Sequence, residues 1–268
     1  MHGTLTFLGT GTSMGVPTLA CPCAVCQSAD PHDRRLRPSV LLRWNEDTAG
    51  GGGGERVVVI DTGPDFREQA LRERIAHVDA VFYTHAHADH ILGMDDLRPL
   101  SFIAEKRGGP IPLYADAGAT MALERVFEYT FSPDSTYLTR ARVQLTPLPD
   151  RQAVRGVEFL RIPLWHGEQA IAGFRFGRAA YLTDVSAIPE ASFALLEGVE
   201  VLVLSALRHT PHPSHSTLEQ SVEWARRIGA TQTWFTHIAH DLGHAETNRT
   251  LPANMQLAYD GLSVPVTL

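Results

Sequence analysis

Residues 83–93 read YTHAHADHILG and place three histidines and an aspartate within six positions, directly after the apolar run 81–83. Imidazole and carboxylate groups are ligands for Zn(II), Mn(II) or Fe(II), and a strand end holds the backbone while the following loop lets side chains converge. A histidine-rich surface turn is the alternative, but the cluster follows an apolar run typical of a buried strand and does not lie at a terminus as a histidine tag would. Four ligands are too many for one open catalytic metal ion, so the segment predicts half of a two-metal site at His85, His87, Asp89 and His90.

The composition bounds the class of protein and its partners. The chain has 268 residues, 44% hydrophobic and 20% charged, as in an ordinary globular protein, and one large domain over 1–268 is expected. The net charge of −7, with no long lysine or arginine run, argues against a large nucleic acid as partner. A small anion held by metal ions fits better. The sequence has no secretory leader pattern and no apolar stretch of about 18 residues, so we expect a cytoplasmic protein without membrane contact.

Short apolar runs alternate with helical patterns along the chain. The runs predict strands at 4–9, 39–44, 56–61, 79–84, 111–115, 157–164 and 199–207. Apolar residues at helical spacing predict helices at 65–75, 117–128, 188–198 and 217–229. The last helix has Ser216 or Thr217 as its N-cap and ends at Gly229. The glycine-rich stretch 48–55 is predicted as a hairpin tip, and the whole pattern favours sheets covered by helices.

All three cysteines are crowded into the segment CPCAVC. An odd number at such close spacing does not suit a disulfide framework, and no thioredoxin-like context surrounds the segment. The spacing favours a metal site at Cys21, Cys23 and Cys26, while three reduced thiols without a function are the alternative.

The segment HAHADH matches the signature H-x-H-x-D-H residue for residue, and on it the chain resembles the metallo-β-lactamase superfamily. The resemblance implies an α/β fold, the αββα sandwich of two mixed sheets with helices on the outer faces. It also implies later ligands at strand ends, which RIPLWHG, AAYLTDVS and TWFTHIAHD supply as His166, Asp184 and His237. Taken singly, each of these three is more often a surface histidine or a turn former.

On the family pattern, the active site holds two divalent metal ions, Mn or Zn, with Asp184 as the bridge between them. One ion would take His85, His87 and His166 as ligands. The other would take Asp89, His90 and His237. Asp61, in the segment IDTGPD, is expected to brace the metal loops from behind, and a turn cap is a compatible alternative.

The segments LGTGTSMGVP, CPCAVC and DPHDRRLRPS narrow the resemblance to the PhnP family of phosphodiesterases, relatives of the tRNA 3′-processing endonucleases. The similarity runs from Gly9 to about Asp260. It implies a closed structural zinc site in an N-terminal loop near 20–27, with a histidine three positions beyond the last catalytic ligand. The four ligands would be Cys21, Cys23, Cys26 and His240.

The segment ALRHTPHPSHSTLEQ (206–220) carries three histidines before the last predicted helix. In similar proteins a histidine followed by Ser or Thr helps to protonate the leaving group, and His215 matches this histidine. The resemblance therefore implies catalytic roles for His215 and for the metal-binding Asp89 and Asp184. His209 and His212 are interpreted as a polar loop, with substrate phosphate contacts as the alternative. The tRNA-processing relatives carry an inserted arm that grips tRNA, between the positions that correspond to His166 and Asp184. Only 18 positions separate these two residues here, so no such arm can fit.

The resemblance predicts a binuclear metal-dependent phosphodiesterase. Its substrate would be a small cyclic phosphate, of the phosphoribosyl 1,2-cyclic or nucleoside 2′,3′-cyclic type, and the chain could form a homodimer. Hydrolysis of an ester, lactone or thioester is the first alternative, because a fold does not dictate the chemistry. A carrier role resembling the pyrroloquinoline quinone pathway protein is the second. The four tryptophans are interpreted as packing residues, although Trp165 could line a substrate mouth.

Overall fold

The structure, a computed structural model, describes residues 1–46 and 54–268. Residues 48–53 of the glycine-rich stretch, predicted as a hairpin tip, lie outside the described residues. The described chain forms two seven-stranded sheets packed face to face, with helices on the outer face of each sheet. The predicted αββα sandwich is therefore confirmed.

The first sheet combines an antiparallel and a parallel half. Its strands are β1 (His2–Gly9), β2 (Ser39–Asn45), β3 (Glu55–Ile60), β4 (Ala80–Phe82), β5 (Ile111–Ala115), β6 (Val143–Pro147) and β14 (Ser263–Thr267). They lie in the order β14-β1-β2-β3-β4-β5-β6. Pairing is antiparallel from β14 to β3 and parallel from β3 to β6.

The second sheet has the same mixed plan. Its strands are β7 (Arg151–Val154), β8 (Val157–His166), β9 (Gln169–Phe176), β10 (Ala179–Leu182), β11 (Val201–Ser205), β12 (Gln232–Thr236) and β13 (Met255–Leu257). They lie in the order β13-β12-β11-β10-β9-β8-β7. Pairing is antiparallel from β7 to β10 and parallel from β10 to β13.

Helices cover the outer faces of the sheets. They are α1 (Phe66–Arg72), α2 (Ala88–Ile91), α3 (Arg98–Arg107), α4 (Ala117–Val126), α5 (Glu128–Phe131), α6 (Glu190–Leu195), α7 (Leu218–Ile228) and α8 (His244–Asn248). Two 3₁₀ segments lie at Pro31–Asp33 and Met94–Leu97. In residues 1–46 and 54–268, no helix combines the length and the apolar character needed to cross a membrane.

Local sequence explains the elements that were predicted. Helix α7 begins with a capping box, in which the Thr217 hydroxyl accepts from the Gln220 N–H and the Gln220 side chain accepts from the Thr217 N–H. It ends at Gly229, whose φ of 74° is left-handed. Strand β3 is apolar without alternation because both of its faces are buried, one between the sheets and one under the helices.

The elements that the sequence did not predict lack those signals. Strands β7 and β13 have four and three residues, β6 is mostly half-buried, and α2 has four residues within the histidine motif. Helix α3 begins with Arg98 and Pro99 and carries few buried side chains. These elements are stabilised by tertiary contacts rather than by their own periodicity.

An aromatic cluster fills the space between the two sheets. Phe82, at the end of β4, stacks on Tyr114 and Phe159 with ring centroids 4.7 and 4.5 Å away, and Phe174 packs edge-on at 5.2 Å. Phe82 is fully buried. It therefore ties the first sheet to the second directly behind the histidine motif.

We expect Phe82→Ala to lower the free energy of unfolding by about 3–5 kcal/mol, because it removes a buried ring between two rigid sheets. Thermal and urea unfolding monitored by circular dichroism measure this loss. The control is Met121→Ala on α4, where the side chain is 65% exposed, and it should change stability by less than about 0.5 kcal/mol. Equal stability of the two variants would contradict this account of the core.

Candidate metal centre

The candidate site lies where strands of both sheets end. Three of its residues follow strands with a left-handed backbone: Asp61 after β3, Asp184 after β10 and His237 after β12, with φ of 65°, 58° and 55°. Such conformations are uncommon for residues other than glycine and are retained where the surroundings enforce them. The two sheets meet at this edge, since the Ala172 N–H donates to the Thr84 carbonyl at 3.0 Å.

The first ligand group consists of three histidines. His85, His87 and His166 bring one ring nitrogen each to within 4.8 Å of the others. His85 and His166 are buried and His87 is exposed. The Nδ1–H of His166 donates to the Asp184 carbonyl at 2.8 Å, which fixes the tautomer and leaves Nε2 as a free lone pair.

The second ligand group is fully buried and contains both acidic residues of the site. Asp89, His90, Asp184 and His237 place their ligand atoms within 4.8 Å of one another. His237 Nε2 lies 3.0 Å from Asp184 Oδ1, and His90 Nε2 lies 3.2 Å from Asp184 Oδ2. Asp184 also belongs to a third set with His166 and His215, so its carboxylate is shared between the two halves of the site.

Asp61 braces the motif from behind, as predicted. Its carboxylate accepts from the Thr84 N–H and hydroxyl, both at 2.8 Å, and from the His90 Nδ1–H at 2.7 Å. Asp61 is fully buried, so these bonds are shielded from solvent. Because Nδ1 of His90 donates to Asp61, Nε2 is the atom left for the second ligand group, and it would present its lone pair once a metal ion displaces its proton.

The donor atoms of the site fit a divalent cation. Among residues 1–46 and 54–268, the buried Nε2 atoms of His85, His90 and His237 have no partner with hydrogen-bond geometry, although those of His90 and His237 lie close to Asp184. Buried polar atoms normally find a partner, and a missing one costs about 1–3 kcal/mol. Imidazole nitrogens together with carboxylate oxygens are the ligands that borderline divalent metals take.

The pKa shifts of the acidic residues and histidines also favour a bound cation. Burial raises the pKa of Asp184, but the charges of His237 and His90 outweigh it and hold that pKa well below its usual range. Burial alone would lower the pKa of His237, but Asp184 and Asp89 outweigh the effect of burial and raise that pKa to about 9. The two carboxylates thus require positive charge beside them. A metal ion would supply it in place of the histidine protons, so we expect proton release on metal binding.

The cysteine cluster converges on one histidine ring. Nδ1 of His240 lies 3.1, 3.3 and 3.5 Å from the sulfurs of Cys21, Cys23 and Cys26. A tetrahedral zinc with its usual bond lengths places sulfur and nitrogen ligands roughly 3.6 Å apart, so the four side chains fit such an ion. Because His240 lies three positions after His237, the contacts of its ring with the three sulfurs hold the cysteine loop next to the active site.

The three histidines of segment 206–220 occupy different surroundings. His215 is mostly buried, with its ring 4.6 Å from that of His166 and 4.7 Å from that of His237. Burial, and next the charge of His237, lower the pKa of His215 to about 3, so the ring is neutral at pH 7. His212 lies beside it, with ring centroids 4.9 Å apart. His209 is exposed and bonds Glu219 at 2.6 Å, as a polar loop residue would.

Two features of the site were not predicted from the sequence. Trp165 is 42% exposed, so the prediction that it packs is wrong; it stands one residue before the end of β8, where the strand reaches the open edge of the sandwich. The other missed feature is a threonine directly before each of three ligands, at Thr84, Thr183 and Thr236. The repeated endings FYTH, YLTD and WFTH were the signal that could have shown these as equivalent strand ends.

Comparison with known proteins agrees with the site. A model of the beta-lactamase superfamily domain matches residues 56–238. A solved structure of a diphosphatase from the PhnP family is 52% identical, with a TM-score of 0.89, and the alignment covers 99% of this chain and 98% of that chain. Zn(2+)-bound PqqB from Methylobacterium extorquens is 20% identical with a TM-score of 0.75 over 98% and 99% of the two chains, a likeness of fold.

Curated relatives are longer proteins. An octanoyltransferase of Porphyromonas gingivalis is 36% identical over 95% of this chain and 50% of its own length. Coenzyme PQQ synthesis protein B of Methylorubrum populi is 32% identical over 48% of this chain and 42% of its own length. The chain thus spans about half or less of the length of the curated relatives it matches.

The fold and the ligand groups define a hydrolase of the metallo-β-lactamase type. The chain belongs to the beta-lactamase superfamily and, within it, to the PhnP family.

We expect Asp184→Ala to lose most of the active-site metal, because its carboxylate is shared by both halves of the site. Metal analysis of the purified, dialysed protein measures the content. Cys23→Ser is the matched comparison and should lose about one equivalent of zinc while keeping the active-site ions. Unchanged metal content in Asp184→Ala, or the same losses in both variants, would contradict the assignment of two separate centres.

Proposed function

We propose that this chain is a two-metal phosphodiesterase that hydrolyses a small cyclic phosphate, of the phosphoribosyl 1,2-cyclic or nucleoside 2′,3′-cyclic type. The observation that carries the proposal is the position of His215. Its Nδ1 is buried, has no hydrogen-bond partner within residues 1–46 and 54–268, and lies 3.9 Å from the shared carboxylate of Asp184. An imidazole that can take up and release a proton thus lies beside the candidate metal ligands without being needed to complete either ligand group, which supports the role of proton donor.

Seven side chains would hold two Mn or Zn ions in this proposal. One ion would be held by His85, His87 and His166, the other would be held by Asp89, His90 and His237, and Asp184 would contribute to both. The cysteine cluster with His240 would hold a third, structural zinc. When bound, a metal pair at such a site activates water and neutralises phosphate charge.

The chain's own residues supply orientation and a proton. The Asp61 carboxylate and the Asp184 carbonyl fix the rings of His90 and His166, so their free nitrogens keep one direction throughout the reaction. His215 gives its proton to the departing sugar oxygen, which is a poor leaving group without it. An anionic phosphate nearby raises the pKa of His215, so substrate binding is accompanied by proton uptake at this ring.

The hairpin between His166 and Asp184 supports a small substrate. Strands β9 and β10 pair antiparallel in the space where the tRNA-processing relatives would carry an inserted arm. The net charge of −7 also disfavours a long polyanion. Both features favour a substrate no larger than a nucleotide.

A phosphoanhydride is the second candidate substrate, because the relative that is 52% identical is named a diphosphatase. The two reactions make different demands on His215. A departing phosphate is stabilised by its own charge distribution and needs protonation less than a departing sugar oxygen does. An acyl substrate is the third, suggested by the octanoyltransferase of which this chain covers half.

We expect His215→Ala to lower kcat/KM for a ribonucleoside 2′,3′-cyclic phosphate by about 10²–10⁴-fold, the usual contribution of a general acid. Hydrolysis of bis(p-nitrophenyl) phosphate, which has a good leaving group, should fall far less. Steady-state kinetics with Mn(II)-loaded protein measure both rates, and metal analysis should find the same content as in the unaltered protein. Loss of metal, or an equal fall for both substrates, would refute the role of proton donor.

A substrate panel separates the three classes. The unaltered, metal-loaded protein is assayed with the cyclic nucleotide, a nucleoside diphosphate and p-nitrophenyl octanoate. Preference for the cyclic nucleotide supports the proposal. Preference for the diphosphate or for the octanoyl ester would replace it with the second or the third candidate.

A further inference from the structure

The loop between β11 and α7 forms one wall of the metal centre. Its base is closed by backbone bonds, since the Leu207 N–H donates to the Ser216 carbonyl at 3.2 Å and the Leu218 N–H donates to the Arg208 carbonyl at 3.0 Å. Its tip rests on the turn after His166. A Cβ at Gly167, which has a φ of 59°, would meet the Ser214 Cβ at 3.4 Å. The loop therefore has a defined position over the site.

His212 stands second in a row of imidazoles that leads away from the metal ligands. The ring of His215 lies 4.6 Å from that of the ligand His166, and the ring of His212 lies 4.9 Å beyond that of His215. His212 is half-buried, so one side of the ring stays open to a ligand.

The hydrogen bonds of His212 define which of its two ring nitrogens carries the proton. The Ser214 N–H, which can only donate, lies 3.3 Å from Nδ1 of His212, so that nitrogen is the acceptor. The proton of the neutral ring is then on Nε2. This N–H makes no hydrogen bond within the part of the chain that the structure describes, and the ring thus offers a fixed donor beside His215.

His209 differs although it lies on the same loop. It is exposed, and its Nδ1 bonds the Glu219 carboxylate on α7 at 2.6 Å. The loop therefore holds one histidine turned toward the helix surface and one beside the proton donor. This contrast provides a matched control for any role of His212.

We propose that His212 is a specificity-determining residue that donates a hydrogen bond from Nε2 to an oxygen carried by the leaving group. The inference rests on the proposed function, because it takes His215 as the group that faces the departing atom. The order of metal ligands, His215 and His212 then puts His212 against the part of the leaving group just beyond the bond that breaks. A ribose hydroxyl or ring oxygen meets this donor, whereas a nitrophenyl group has no oxygen at that position.

The test compares two substrates in the metal-loaded protein. His212→Ala should lower kcat/KM for a ribonucleoside 2′,3′-cyclic phosphate about tenfold, mainly through KM, as expected for one lost hydrogen bond. Turnover of bis(p-nitrophenyl) phosphate should change less than about twofold. His212→Asn, which keeps an N–H donor, should recover part of the loss, and His209→Ala should leave both substrates unaffected.

Binding of product gives a second readout that does not depend on turnover. Titration calorimetry should find a ribonucleoside 3′-monophosphate bound about tenfold more weakly by His212→Ala, with p-nitrophenyl phosphate bound equally well and metal content unchanged. Equal losses for both substrates, no loss for either, or the same effect from His209→Ala would overturn the assignment. Failure of the proposed function is distinguishable, because it shows in the unaltered protein, which would then prefer the diphosphate or the octanoyl ester or cleave none of the substrates.

Discussion

The active site depends on one buried carboxylate, that of Asp184. Its two oxygens face His237 and His90, and its backbone carbonyl holds the ring of His166, which belongs to the other ligand group. One residue therefore fixes the spacing of both halves of the centre. It can do so only because its backbone after β10 adopts a left-handed conformation, which turns the carboxylate into the site and the carbonyl toward His166.

The two-sheet architecture explains how distant parts of the chain reach this carboxylate. Parallel strands from each sheet end at the same edge, and the Ala172 to Thr84 backbone bond joins the sheets there. Asp61 then transmits the position of β3 to the histidine motif through Thr84 and His90. The N-terminal cysteine loop is attached to the same edge through the ring of His240, which contacts all three sulfurs. The candidate metal ligands thus rest on the ends of packed strands, as a site that must keep its geometry requires.

The sequence predicted the fold class and elements such as β3 and α7, because β3 is a continuous apolar run and α7 carries helical periodicity and a capping box. It also nominated the members of the His, Asp and Cys clusters that the structure brings together, since a dense histidine motif and ligands at strand ends leave local traces. It did not predict β7, β13 or α2, which are too short to show a pattern of their own. Nor did it separate His209 from His212, because only tertiary contact places one against α7 and the other against His215.

If two metal ions share the Asp184 carboxylate, a crystal structure of Mn(II)-loaded protein, with data collected at the manganese absorption edge, should show both of them. We expect two anomalous peaks about 3.5–4 Å apart, one on either side of that carboxylate. A single peak, or peaks that leave Asp184 uncoordinated, would mean that the two ligand groups do not form one binuclear centre.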